Sequence, residues 1–142
     1  MKDDTITGWL YLVYESQEPE GLYAKDGLGA FLRERGAVQY LQPFFEPLYQ
    51  AHGIGVSSSD DEFIHGSAAL AALREALIHA QDDCQTKPSE WHITSLGVDF
   101  YTGNSSQLPI TRELLLEFLS AAVANVDRAI ANGSYLVWGG GE

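Results

Sequence analysis

The chain has 142 residues, with twenty acidic residues against eight basic ones for a formal charge of −12; 45% of the residues are apolar and 11% aromatic. That size and composition suit a single domain, residues 1–142, with a core of its own, and exclude a disordered chain. The few scattered bases argue against a nucleic-acid surface, which needs clustered positive charge. No apolar run approaches the roughly 20 residues a membrane helix needs.

Gly8 to Glu15 is aromatic and β-branched with apolar residues on both faces, which predicts an internal strand. Ser16 to Gly21 reads as a polar loop. Leu28 to Arg35 is a short helical candidate with Gly36 as its stop. From Val38 to His52, Tyr40, Leu41, Phe44, Phe45, Leu48 and Tyr49 recur at helical spacing, and Gly53 follows. Pro43 and Pro47 interrupt that run, so a break near Gln42 and a new helix from Pro43 are expected.

Ile54 to Val56 suggests a brief strand, and Ser59 and Glu62 have capping-box spacing. Ser67 is a candidate N-cap for a helix running to Cys84, with Leu70, Leu73, Leu77, Ala80 and Cys84 as its buried stripe. Trp91 to Tyr101 predicts a strand with an irregularity at Gly97, closed by a turn at Thr102-Gly103-Asn104. Thr111 should cap the longest helix, which Asn132-Gly133 ends. Its stripe is Leu115, Phe118, Leu119, Ala122, Val126 and Ile130, widened by Leu114, Leu116 and Val123. Ser134 to Trp138 is a closing strand, and Gly139-Gly140-Gly141 a loose end. These unequal segments, without repeat or linker, predict an α+β fold: a single layer of helices packed on a small mixed or antiparallel sheet.

The chemistry of common sites is missing. His52, His65, His79 and His92 have no metal-ligand spacing, and Asp60-Asp61-Glu62 lacks the alternating ligands and glycine of a calcium loop. No catalytic residue, metal or cofactor is assigned. Cys84 is the one cysteine, so it makes no internal disulfide. It sits beside Asp82 and Asp83 at the negative end of its helix, which favours an inert thiol. The amino terminus lacks the basic segment of a signal peptide, and the expected compartment is the cytoplasm. The Tyr40–Tyr49 aromatics read as core before they read as a ligand groove.

The acids are uneven: residues 56–90 hold seven of them against two bases. With size, charge and the order of Ser67–Cys84, Trp91–Gly103 and Thr111–Trp138, the chain resembles the immunity proteins of bacterial toxin systems, which bind and block a cognate toxin, often a basic nuclease. The resemblance implies a basic partner protein, such as a toxin domain. Immunity proteins share no single fold, so it carries over no site. Charge density alone selects the partner-binding acids: Glu15, Glu18 and Glu20, then Asp60, Asp61, Glu62, Asp82 and Asp83. The alternatives are a small enzyme or ligand-binding domain, with a pocket between helices and sheet using Asp99, His92 or Tyr101, and a homodimer formed through aromatic surface.

Overall fold

The computed structural model describes residues 9–15, 29–32, 34–54, 62–94 and 107–141. They form β1 (Trp9–Glu15), β2 (Gly29–Leu32), α1 (Arg35–His52), β3 (Glu62–Ile64), α2 (Ser67–Cys84), β4 (Glu90–Thr94), β5 (Gln107–Thr111), α3 (Arg112–Asn132) and β6 (Tyr135–Gly141). A four-stranded sheet runs β2-β1-β6-β3, and β4 pairs with β5 in a separate two-stranded sheet. Every described pairing is antiparallel. The α+β class therefore holds, with helices on antiparallel sheets.

The core lies where the helices meet the four-stranded sheet. Ala30, Leu32, Ile64, Leu136 and Trp138 are buried on one sheet face, while Phe31 and Phe63, at alternate positions of the two edge strands, are 53% and 39% exposed. Trp138 meets Phe45 of α1 edge-on with ring centroids 4.8 Å apart, and Phe118 of α3 at 6.4 Å. Helix α3 packs on β1, β2 and β6, and α2 packs chiefly on α1 and α3.

Helix α2 buries Leu70, Leu73, Leu77, Ala80 and Cys84 as the spacing predicts, with Ala76 added. Its N-cap is Gly66 (φ 97°), so Ser67 is the first helical residue and not the cap. Helix α3 buries Leu115, Phe118, Leu119, Ala122 and Val126, but in its last turn Ala129 is buried and Ile130 is 41% exposed. Ile130 stands four residues after Val126, and a 3.6-residue repeat carries it past the edge of the stripe. Leu114, on the flank, is half exposed.

Helix α1 is continuous through Pro43 and Pro47. Both prolines are exposed and one turn apart, so the missing N–H bonds fall on the solvent side, where water can serve the freed carbonyls. An interior proline costs about 3 kcal/mol. Against that, Val38, Leu41, Phe45 and Leu48 are buried on the other side, and each such side chain contributes about 1.5–3 kcal/mol. Packing outweighs propensity here. Gly53 ends the helix at φ 70°, its N–H donating to the Tyr49 carbonyl at 2.9 Å.

Other segments depart from the sequence reading. Gly29–Leu32, expected to be helical, pairs with Val13 to Leu10 of β1. Its period is two: Ala30 and Leu32 are buried and Phe31 is exposed. Gly36 is therefore no helix stop. It lies in the first turn of α1, so close to β5 that an added Cβ would stand 2.7 Å from the Pro109 carbonyl oxygen. Glu62 opens β3 opposite Trp138, in a strand and not in the first turn of a helix, and Ser59 lies outside the described residues. Ile54 is buried outside any strand, and the rest of that expected strand lies beyond the described residues. The strand expected over 91–101 is described only from Glu90 to Thr94, and residues 95–101 and the turn after them lie outside. Gly139, Gly140 and Gly141, read as a loose end, belong to β6 and pair with Tyr11, Leu10 and Trp9. Strand β5, with Pro109 opposite His92, went unforeseen.

Candidate interaction surface

Tyr40 and Phe44 stand one turn apart on α1, with centroids 5.4 Å apart, and both are half-buried. The last turn of α2 brings Asp83 to Tyr40, whose hydroxyl donates to Asp83 Oδ2. Beyond Cys84 the chain turns sharply. Thr86 N–H and Oγ1 both donate to the Asp83 carbonyl, at 3.0 and 2.7 Å, and Lys87 N–H donates to the Cys84 carbonyl at 3.0 Å. Arg112 closes the turn from the other side, its Nη1 donating to the Lys87 carbonyl at 2.6 Å.

This turn delivers Lys87 and then Trp91 to the same place. Trp91 on β4 meets the Tyr40 ring edge-on at 5.5 Å. Lys87 Nζ lies 3.9 Å from Asp83 Oδ2 and 5.9 Å from the centroids of both Tyr40 and Trp91. The corner therefore joins a carboxylate, an ammonium and aromatic rings from three elements. It stays partly open, since the side chains of Lys87 and Asp83 retain 34% and 45% exposure.

Two anchors hold α1 to β4 and β5 behind this corner. Gln39 Nε2 donates to the Thr94 carbonyl at 2.9 Å. The Glu34 carboxylate accepts from Thr111 N–H at 3.0 Å and from Thr111 Oγ1 at 2.7 Å. Thr111 is the N-cap of α3, but its hydroxyl bonds Glu34 and not the helix it opens.

The electrostatics follow the packing. Burial raises the Tyr40 hydroxyl well above its ordinary pKa of 10.0, and the hydrogen bond to Asp83 and its charge act in the same direction. Burial likewise raises the Cys84 thiol, aided by Asp83, while Arg112 and Lys87 pull it down. Cys84 has no exposed surface, its Sγ is 3.9 Å from the Arg112 carbonyl, and the inert-thiol reading stands.

The predicted acids are distributed unevenly. Both Asp82 and Asp83 are in the last turn of α2; Asp82 is exposed, and Asp83 is half-buried at the aromatic corner. Glu15 ends β1 opposite Tyr135, and Glu62 begins β3 opposite Trp138, so these two flank β6 in the four-stranded sheet. Glu18, Glu20, Asp60 and Asp61 lie outside the described residues, as do Asp99 and Tyr101; His92 is exposed on β4. Among the described residues no group of three or more His, Cys, Asp or Glu is placed to hold a metal ion, and no helix is long and apolar enough to cross a membrane.

No family model, curated protein or solved structure matches the chain.

Sequence reasoning missed Lys87, Trp91 and Tyr40 as members of one site. Asp83 and Tyr40 are 43 positions apart, and nothing in their spacing signals the contact.

Proposed function

We propose that this chain is an acidic binding protein that neutralises a basic partner protein, and that it acts in the bacterial cytoplasm as an immunity protein against a cognate toxin. The observation that carries the reading is the pairing of a net charge of −12 with an aromatic corner that contains the Asp83 carboxylate. Charge of one sign steers an oppositely charged protein and raises its association rate. It does little to hold the complex once formed. Holding falls to a few aromatic or arginine anchors in partly enclosed sites, and Tyr40 and Trp91 offer such surface next to the acids.

The test begins with affinity capture from the native cell, identification of the retained protein, and purification of both chains. Association and dissociation are then timed at low and physiological salt, for the natural sequence and for the triple variant Asp60→Asn, Asp61→Asn, Asp82→Asn. The expected partner is basic, with an on-rate that falls steeply with salt and falls again in the variant, while the off-rate changes less. An on-rate indifferent to both salt and substitution overturns the reading. So does turnover of a small molecule that is lost in Asp99→Asn.

A further inference from the structure

We propose that the corner formed by Tyr40, Trp91 and Asp83 receives an arginine guanidinium of the basic partner, and that Lys87 is the resident cation which this guanidinium displaces. The inference rests on the reading of the chain as a binder of a basic protein.

Three features attract a cation to one point: the rings of Tyr40 and Trp91 and the Asp83 carboxylate. Lys87 already answers that attraction, but from the edge of contact. Its Nζ is 5.9 Å from each ring centroid, where cation–π attraction reaches its limit of about 6 Å. Its 3.9 Å approach to Asp83 Oδ2 is a long ion pair between two part-exposed side chains. The Lys87 side chain is itself 34% exposed, so it already reaches solvent from this position.

The carboxylate is only half used. Tyr40 and Lys87 both address Oδ2, and among the described residues Oδ1 has no partner. An ammonium is a point charge and cannot lie flat on a ring while serving both carboxylate oxygens. A guanidinium is planar and less strongly hydrated. It stacks on an aromatic ring and presents paired N–H donors to a carboxylate. The site is thus better matched to arginine than to the lysine it contains.

Lys87→Met is the informative variant, since it deletes the internal cation while leaving the backbone bonds of Lys87 to Cys84 and Arg112 in place. The probe is N-acetyl-arginine amide, with the neutral citrulline analogue beside it, followed by the Trp91 indole N–H resonance. Saturable shifts are expected with arginine and not with citrulline. Lys87→Met should tighten binding about two- to fivefold, the share of one exposed cation–π competitor, and Asp83→Asn should weaken it. Equal shifts from citrulline, or a Lys87→Met variant that binds no more tightly, overturn the proposal. Neither result bears on salt-steered binding of a basic protein, which is measured separately. A captured partner whose dissociation ignores both Lys87→Met and Trp91→Leu also removes the corner from the mechanism and leaves the binder standing.

Discussion

Gly36→Ala places a methyl group between α1 and β5, where an ordinary helix position would welcome it. Alanine normally stabilises a helix interior relative to glycine by about 1 kcal/mol. Here the new Cβ would stand 2.7 Å from the Pro109 carbonyl oxygen, 3.0 Å from Ile110 Cγ1 and 3.1 Å from Leu108 Cβ. A backbone oxygen cannot rotate aside, and Ile110 is fully buried, so α1 and β5 must separate by several tenths of an ångström. Overpacking of this kind costs about 1–3 kcal/mol. The clash should exceed the propensity gain, leaving a net loss of about 1 kcal/mol. Urea unfolding followed by far-UV circular dichroism should show a lower midpoint with unchanged slope. The Trp91 indole resonance should also move, because the start of α1 fixes Tyr40 against β4 through Gln39 and Thr94. A variant as stable as the natural protein would refute the close approach and the helix placement built on it.

Leu73→Ala and Phe118→Ala remove buried side chains from the middle of α2 and α3 and should each cost about 2–5 kcal/mol in the same urea assay. Arg74→Ala is the control: its contact with Asp127, 2.6 Å between exposed side chains, should leave the midpoint essentially unchanged. Tyr40→Phe should alter the alkaline limb of stability. The Tyr40 hydroxyl is raised in the folded chain, so its contribution is complete below its unfolded pKa of 10.0 and is lost as pH rises beyond that. Midpoints collected from about pH 8 to about pH 11 should fall less steeply in Tyr40→Phe, and parallel curves would show that the Tyr40–Asp83 bond does not couple to folding.

Elements that carry their own signal were legible in the sequence. Helices α2 and α3 show long amphipathic stripes, and their leucines and alanines are buried nearly as spaced. Helix α1 was legible in its apolar face but not in its continuity, because proline rules describe an isolated helix and the packing of Leu41, Phe45 and Leu48 overrides them. The short strands were hidden for another reason. Gly29–Leu32 and Gln107–Thr111 hold four and five residues, too few for periodicity to speak, and one contains a proline. The glycines of β6 pack no side chain at all and owe their strand to backbone pairing with β1. At the candidate site, charge density pointed to Asp82 and Asp83. The aromatic half arrives from α1 and β4: the packing of α1 on α2 brings Tyr40 to Asp83, and the turn at 85–89 brings Lys87 and Trp91.

The charge balance explains why steering and holding should separate in the kinetics. Arg74 is engaged by Asp127, Lys87 by Asp83, Arg112 by the Lys87 carbonyl and Arg128 by the Asn125 side-chain oxygen at 2.7 Å. Arg74 and Lys87 thus face carboxylates, and among the described residues the exposed acids, Glu75, Asp82, Glu90, Glu113 and Glu117 with others, outnumber the exposed bases Arg35 and Arg74. The resulting field acts beyond contact distance and is screened within a Debye length of about 8 Å at physiological salt, so it governs how often a basic protein arrives. It is nearly indifferent to which cation arrives. Discrimination needs contact, and the proposed arginine site would supply it with the rings of Tyr40 and Trp91, the Asp83 carboxylate and a lysine held at 3.9 Å. Salt and the distant acids should thus move the association rate, and Lys87 and Trp91 the dissociation rate. If substitutions at the corner changed only association, the corner would be one more patch of the field, and the complex would have to be held elsewhere.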